Sequence, residues 1–110
     1  MTNDKVLSLI GLCKKAGKLK SGEFSVEEII KVRKAKLVVV ALDASENTKK
    51  KYKDMCSYRN IPIYFYSDNA TLGKWMGSEE RAAVGITDDG FAGSIILELE
   101  KNNSDSEVVE

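Results

Sequence analysis

Three groups of residues in this 110-residue chain have types and spacings that could do chemistry. The first is Asp43-Ala44-Ser45, a polar turn after an unbroken apolar run, Leu37-Val38-Val39-Val40-Ala41-Leu42. Ligands gather at the carboxyl ends of strands in open α/β sheets, and a carboxylate there could be a phospho-acceptor. That reaction needs further acids from a neighbouring strand end to hold magnesium, and no strand bearing them precedes Leu37. Asp43 is better suited to fixing its turn through backbone hydrogen bonds. The second group is Lys14, Lys15, Lys18 and Lys20, which run into Gly22 and a helix start near Ser25. Cations beside free helix N–H groups suit an anion, although a plain loop and cap between two core helices would look the same. The third is Cys13 and Cys56, far apart, with no CxxC and no histidine in the chain. That excludes the usual zinc patterns and points to reduced thiols in a cytoplasm, each a small buried hydrophobe. With no histidine, G-x-S-x-G or phosphate loop, neither an enzyme nor a cofactor is expected.

These groups need a scaffold. The length suits one domain with a real core. A hydrophobic share of 43% and a charged share of 31% fit a soluble fold and not a disordered chain. No apolar run approaches a membrane span, and no signal peptide is visible. The zero net charge hides an asymmetry: residues 1–60 carry fourteen Lys or Arg against seven acids, and residues 61–110 three against ten. Nucleic-acid binding depends on the local field, so near-neutrality does not exclude it.

Periodicity supplies the elements. Lys5 to Ala16 reads as a helix burying Val6, Leu9, Ile10 and Cys13, with Leu12 close to the same stripe and Gly17 as its stop. Lys18-Leu19-Lys20 is a short extended link. Ser25 with Glu28 forms a capping box, or Ser21 caps a slightly earlier start, and Val26, Ile29, Ile30 and Val32 face inward. The run from Leu37 to Leu42 is a strand covered on both faces. Ser45 then caps a helix to about Arg59, with Tyr52, Met55 and Cys56 inside. Ile61 to Tyr66 is a second strand, with Pro62 at an edge or entry position. Ser67-Asp68-Asn69 caps a short helix ended by Gly77, Ala82 to Thr87 is a third strand, and a last helix spans about Phe91 to Leu99. Residues 1–100 make the domain, and 101–110 read as a disordered acidic tail.

Five blocks in this order, AGKLKSGE at 16–23, KLVVVALDAS at 36–45, CSYRNIP at 56–62, LGKWMG at 72–77 and AAVGITDDGFA at 82–92, resemble the seven-Ae type of large-subunit ribosomal proteins and their small bacterial relatives, which bind kink-turn RNA. The resemblance implies a three-layer α/β/α sandwich with a small mixed four-stranded sheet. In that family a glycine-led turn and the first residues of the second helix enter the groove at tandem sheared G·A pairs. The loop before the last strand covers an unstacked base, and lysines meet phosphates. Carried over, the groove-reading segment is Gly22 to Glu28, the covering loop is Ser78 to Ala82, and Asp43 to Ser45 forms a wall beside them. The implied RNA-contact residues are Lys18, Lys20, Ser21, Gly22, Glu23, Phe24, Ser25, Glu28, Ser45, Glu80, Arg81 and Ala82. Gly22 matches, but Phe24 and Ser25 stand where the family has Asn-Glu, and Glu28 replaces a lysine. Phe24 could stack on a base, or serve as a hydrophobic staple or core residue.

The expected function is therefore binding of structured, kink-turn-like RNA by a ribosome-associated cytoplasmic monomer, with no membrane, metal or cofactor. The alternative is a protein-interaction or regulatory module that keeps the fold and has lost the RNA code.

Overall fold

The valine run lies in the middle of a sheet, as its lack of polar alternation predicts. In the computed structural model, which describes residues 4–102 and 108–109, this strand is β2 (Leu37–Val40), and all four residues are buried. Before it come α1 (Lys5–Lys15), β1 (Leu19–Ser21) and α2 (Glu23–Lys31). After it come α3 (Glu46–Tyr58), β3 (Ile63–Phe65), α4 (Asn69–Trp75), β4 (Ala83–Ile86), α5 (Asp89–Asn102) and a two-residue β5 (Val108–Val109).

The strand order is β1-β4-β2-β3-β5. β2 and β3 are parallel, while β4 runs antiparallel to both β1 and β2. Strands β1, β2 and β3 therefore all point the same way. Their carboxyl ends, at Ser21, Val40 and Phe65, share one edge of the sheet with the start of β4 at Ala83. The starts of β1 and β2 share the opposite edge with the end of β4.

Alternate strand residues face opposite sides, and two apolar layers follow. Leu37, Val39, Val84 and Ile86 pack with Val6, Leu7, Ile10 and Cys13 of α1, Leu72 of α4, and Ile95 and Leu99 of α5. Val38, Val40, Ile63 and Ala83 pack with Val26, Ile29 and Ile30 of α2 and Tyr52 and Cys56 of α3. The result is the α/β/α sandwich with a mixed sheet that the resemblance implied.

Helices α1 to α4 stop in one way. The N–H two residues past each cap bonds back to the carbonyl five residues earlier: Lys18 to Cys13, Lys34 to Ile29, Ile61 to Cys56 and Ser78 to Gly73. The left-handed residue each stop requires is Gly17, Arg33, Asn60 and Gly77 in turn.

Several local expectations change. Leu7, not Leu12, joins the buried face of α1, because Leu12 lies round the helix from Val6, Ile10 and Cys13 and is exposed. Val32 caps α2 and is exposed too. The α2 helix starts at Glu23 with Gly22 as N-cap, so neither the Ser25–Glu28 box nor a Ser21 cap forms. Gly22 adopts φ +91°, which lets the chain turn straight from β1 into the helix. β2 ends at Val40, leaving Leu42 57% exposed. In the segment 101–110, Lys101 and Asn102 complete α5 and Val108-Val109 pairs antiparallel with β3. The other residues of that expected tail lie outside the described residues.

Candidate nucleic-acid interface

Four chain segments converge on the sheet edge where β1, β2 and β3 end: the start of α2, the turn 41–45, the start of α4 and the loop 78–82. Gly22 N donates to Ala83 O at 3.4 Å, Ala41 N to Ala82 O at 2.8 Å, and Arg81 N to Asn69 O at 3.0 Å. Side chains complete the frame. Arg81 Nε donates to Ser21 Oγ at 3.2 Å, tying the loop to the residue before Gly22. Arg81 Nη1 donates to its neighbour's carbonyl, Glu80 O, at 3.0 Å, a second restraint on the guanidinium.

The first turn of α2 is open. Gly22 has no side chain to cap it, so the N–H groups of Glu23, Phe24 and Ser25 have no side-chain cap at the positive end of the helix dipole. Glu23 turns aside: its Oε1 accepts from Lys51 Nζ at 3.2 Å, and Glu27 Oε2 accepts from the same ammonium at 2.7 Å. The Glu27 bond, first among the causes, holds Lys51 above the ordinary lysine range against the opposing cost of burial, and the Glu23 bond adds a smaller contribution. Lys51 thus fastens α2 to α3 and withdraws two carboxylates from the open helix end. Phe24 is left 83% exposed beside that end, so it is neither a staple nor a core residue.

The loop rests on α4. A methyl group at Gly73 would lie 2.6 Å from the backbone nitrogen and Cα of Glu80, so only glycine lets the loop pack this closely. The start of α4 is held by two acids. Asp43 Oδ1 accepts from Asn69 N at 2.8 Å and Asp68 Oδ1 from Thr71 N at 2.7 Å. The Thr71 N–H, first among its causes, holds the Asp68 carboxyl below the usual range. Asp43 therefore orders a neighbouring helix and not its own turn. Ser45 caps α3, its Oγ accepting from Thr48 N at 3.1 Å.

The twelve residues singled out in the sequence do not all meet here. Ser21, Gly22, Glu23, Phe24, Ser25, Ser45, Glu80, Arg81 and Ala82 lie at this edge. Glu28 is exposed one turn further along α2, where its carbonyl accepts from Val32 N at 3.1 Å. Lys20 is exposed in the middle of β1, paired in register with Gly85. Lys18 lies at the far end of β1, where its carbonyl accepts from Thr87 N at 2.9 Å, ~13 Å from Gly22 at strand rise. Lys51 and Gly73 are contributors that the sequence reading missed. The glycine inside a helical pattern was a usable sign of close backbone approach. Nothing local marks Lys51, which meets Glu23 only through the tertiary fold.

Among the described residues no group of acids or cysteines could hold a metal, and no helix is long and apolar enough to cross a membrane.

Comparison with known proteins agrees with the architecture. The "RNA-binding protein YlxQ" of Bacillus subtilis is 42% identical over 92 residues, spanning 84% of this chain and 92% of that protein. The protein of the same name from Enterococcus faecium is 47% identical over 88 residues, spanning 80% of this chain and 84% of its own length. The "large ribosomal subunit protein eL8" of Thermoplasma volcanium is more distant, 30% identical over 89 residues and covering 80% of this chain and 74% of that one. A solved structure of a protein with unknown function from Bacillus halodurans superposes with a TM-score of 0.85 at 33% identity, covering 89% of this chain and 99% of the other. Residues 4–96 match the ribosomal protein L7Ae/L30e/S12e/Gadd45 family. The chain belongs to that family.

Proposed function

We infer that this is an RNA-binding protein that recognises structured, kink-turn-like RNA at the edge where α2 begins. The observation that carries the reading is the Arg81–Ser21 bond, which couples the loop 78–82 to the glycine-led turn. In this reading the first turn of α2 enters the groove and the loop covers an unstacked base. Phe24, in place of the family's amide, offers its ring to a base. Two relatives named as RNA-binding and one named as a ribosomal protein support it and make ribosomal RNA a candidate partner. The protein acts as a monomer in the cytoplasm, and no catalytic step is assigned to it.

Fluorescence anisotropy on three RNAs tests this: a kink-turn, the same RNA with Watson–Crick pairs replacing the tandem G·A pairs, and a plain hairpin. The kink-turn should bind most tightly. Arg81→Ala should lower that affinity about tenfold, the ~1.5 kcal/mol scale of one hydrogen bond from a charged group, with the circular dichroism spectrum unchanged. Equal binding of all three RNAs would instead favour a protein-interaction module on the same fold, for which exposed Phe24 and Leu42 supply apolar contact.

A further inference from the structure

The opposite edge of the sheet is strongly basic. Lys14 and Lys15 close α1, Lys18 leads into β1, and Arg33, Lys34 and Lys36 join α2 to β2. Both strands begin beside the end of β4: Thr87 N donates to Lys18 O at 2.9 Å, and Lys36 N to Ile86 O at 2.6 Å. Two strand spacings therefore separate Lys18 from Lys36 by ~10 Å. All six cationic residues are exposed. Of these six, only Lys36 has an ion-pair partner among the described residues, Asp89 at 4.0 Å.

Lysines are common near helix carboxyl ends because they offset the dipole, so the surplus has to be weighed. The ends of α1 and α2 carry about half a negative charge each, and Asp88 and Asp89 add two. Six cations still leave roughly three positive charges uncompensated. The edge holding Arg81 has the reverse balance, with Asp43, Asp68, Glu79 and Glu80 exposed around it. The two edges of the sheet thus carry opposite surplus charge.

Arg33 adds an independent sign. It occupies the left-handed position of the α2 stop at φ +61°, where the equivalent stops of the other helices use Gly17, Asn60 and Gly77. A bulky residue there is strained where glycine is not, and such strain persists at positions with a task.

We propose that this edge is a second RNA-contact surface, which holds the sugar–phosphate backbone of a helical segment without reading its sequence. A nucleic-acid duplex presents on the order of one negative charge per 2 Å of axis, so a ~10 Å edge faces several phosphates. The protein then bridges two RNA segments, one at each edge. The bridging rests on the kink-turn reading above; the backbone contact does not.

The test uses the full chain and a Lys15→Gln/Arg33→Gly/Lys34→Gln variant, titrated with plain duplex RNA between 50 and 200 mM salt. The variant should bind the duplex more weakly, with a log–log salt slope smaller by about 2–3, near 0.9 per lost phosphate contact. Its preference for the kink-turn over the mutated kink-turn should be unchanged. An immobilised kink-turn RNA should capture a labelled duplex through the parent protein and not through the variant. Arg33→Gly alone should raise the thermal midpoint while lowering the slope by about one, a combination that a merely structural arginine would not give. An unchanged slope in the variant, or no duplex binding by the parent at 50 mM salt, overturns the proposal. Displacement of the duplex by poly-glutamate at equal charge also overturns it and reassigns the edge to an acidic protein. Loss of kink-turn preference with a duplex slope that still depends on these cations removes only the first reading.

Discussion

In the proposed reading, Phe24 is the residue on which RNA preference turns. By the resemblance it replaces an amide, and an 83% exposed ring adds little to folding. Phe24→Ala should therefore leave the urea midpoint within about 0.5 kcal/mol of the parent. Its cost should fall on binding, ~1–3 kcal/mol for RNA with an unpaired base near the G·A pairs and little for RNA without one. A drop in stability with no change in affinity would return Phe24 to a packing role. Arg81 is the second residue of consequence, because its one side chain both orders the loop and contacts Ser21. The types and numbers of these residues were legible in the sequence. Whether the Phe24 ring is buried or open was not, because that depends on the helix beginning at Gly22 and at neither of the flanking serines, Ser21 and Ser25, that could cap it.

At the scale of elements, the loop 78–82 is positioned by what α4 lacks. Gly73→Ala would drive a methyl group into the Glu80 backbone at 2.6 Å, and backbone cannot rotate away as a side chain end can. Overpacking of this kind costs ~1–3 kcal/mol. It should lower the thermal midpoint, and it should weaken kink-turn binding beyond what the stability loss explains, because the loop is displaced. Gly93→Ala is the control: no atom lies within 4 Å of its added methyl group, so inside α5 it should leave binding unchanged and raise the thermal midpoint slightly. The α2 helix is positioned differently, by the bridge from Lys51 of α3, its neighbour on the same face of the sheet, to Glu23 and Glu27. Helix and strand identities followed from periodicity; the Lys51 clamp joins residues 28 and 24 positions apart and left no local trace.

At the scale of the whole molecule, titratable groups inside the two layers set the alkaline limit of stability. Burial pushes the Cys13 thiol up to about 11 and the Cys56 thiol up to about 12. Burial, with nearby carboxylates, also raises the Tyr52 and Tyr66 hydroxyls. A raised folded-state value means that the unfolded chain loses its proton first. Stability is therefore complete below the ordinary thiol value of 9.0 and falls as pH rises from there through about 11 and 12. Urea midpoints measured between pH 8 and pH 11 should decline progressively, and neither thiol should react with an aromatic disulfide reagent at pH 8 until the chain unfolds. A flat profile would mean that these groups ionise without unfolding the layers around them.

The sequence by itself determined the order of the main helices and strands, most of their buried positions and the family, because period and left-handed stops act within a few residues of one another. The tertiary structure decided which ends of those elements meet. Lys18 and Gly22 are neighbours in sequence, yet they lie at opposite edges because β1 is extended between them and pairs antiparallel with a strand more than sixty residues away. Glu80 and Arg81 come to Gly22 by the same pairing. The basic stretch that runs into Gly22 in the sequence is carried to the edge away from it, where Lys14, Lys15 and Lys18 join Arg33, Lys34 and Lys36, since strand direction is fixed by long-range backbone pairing and not by local residue type.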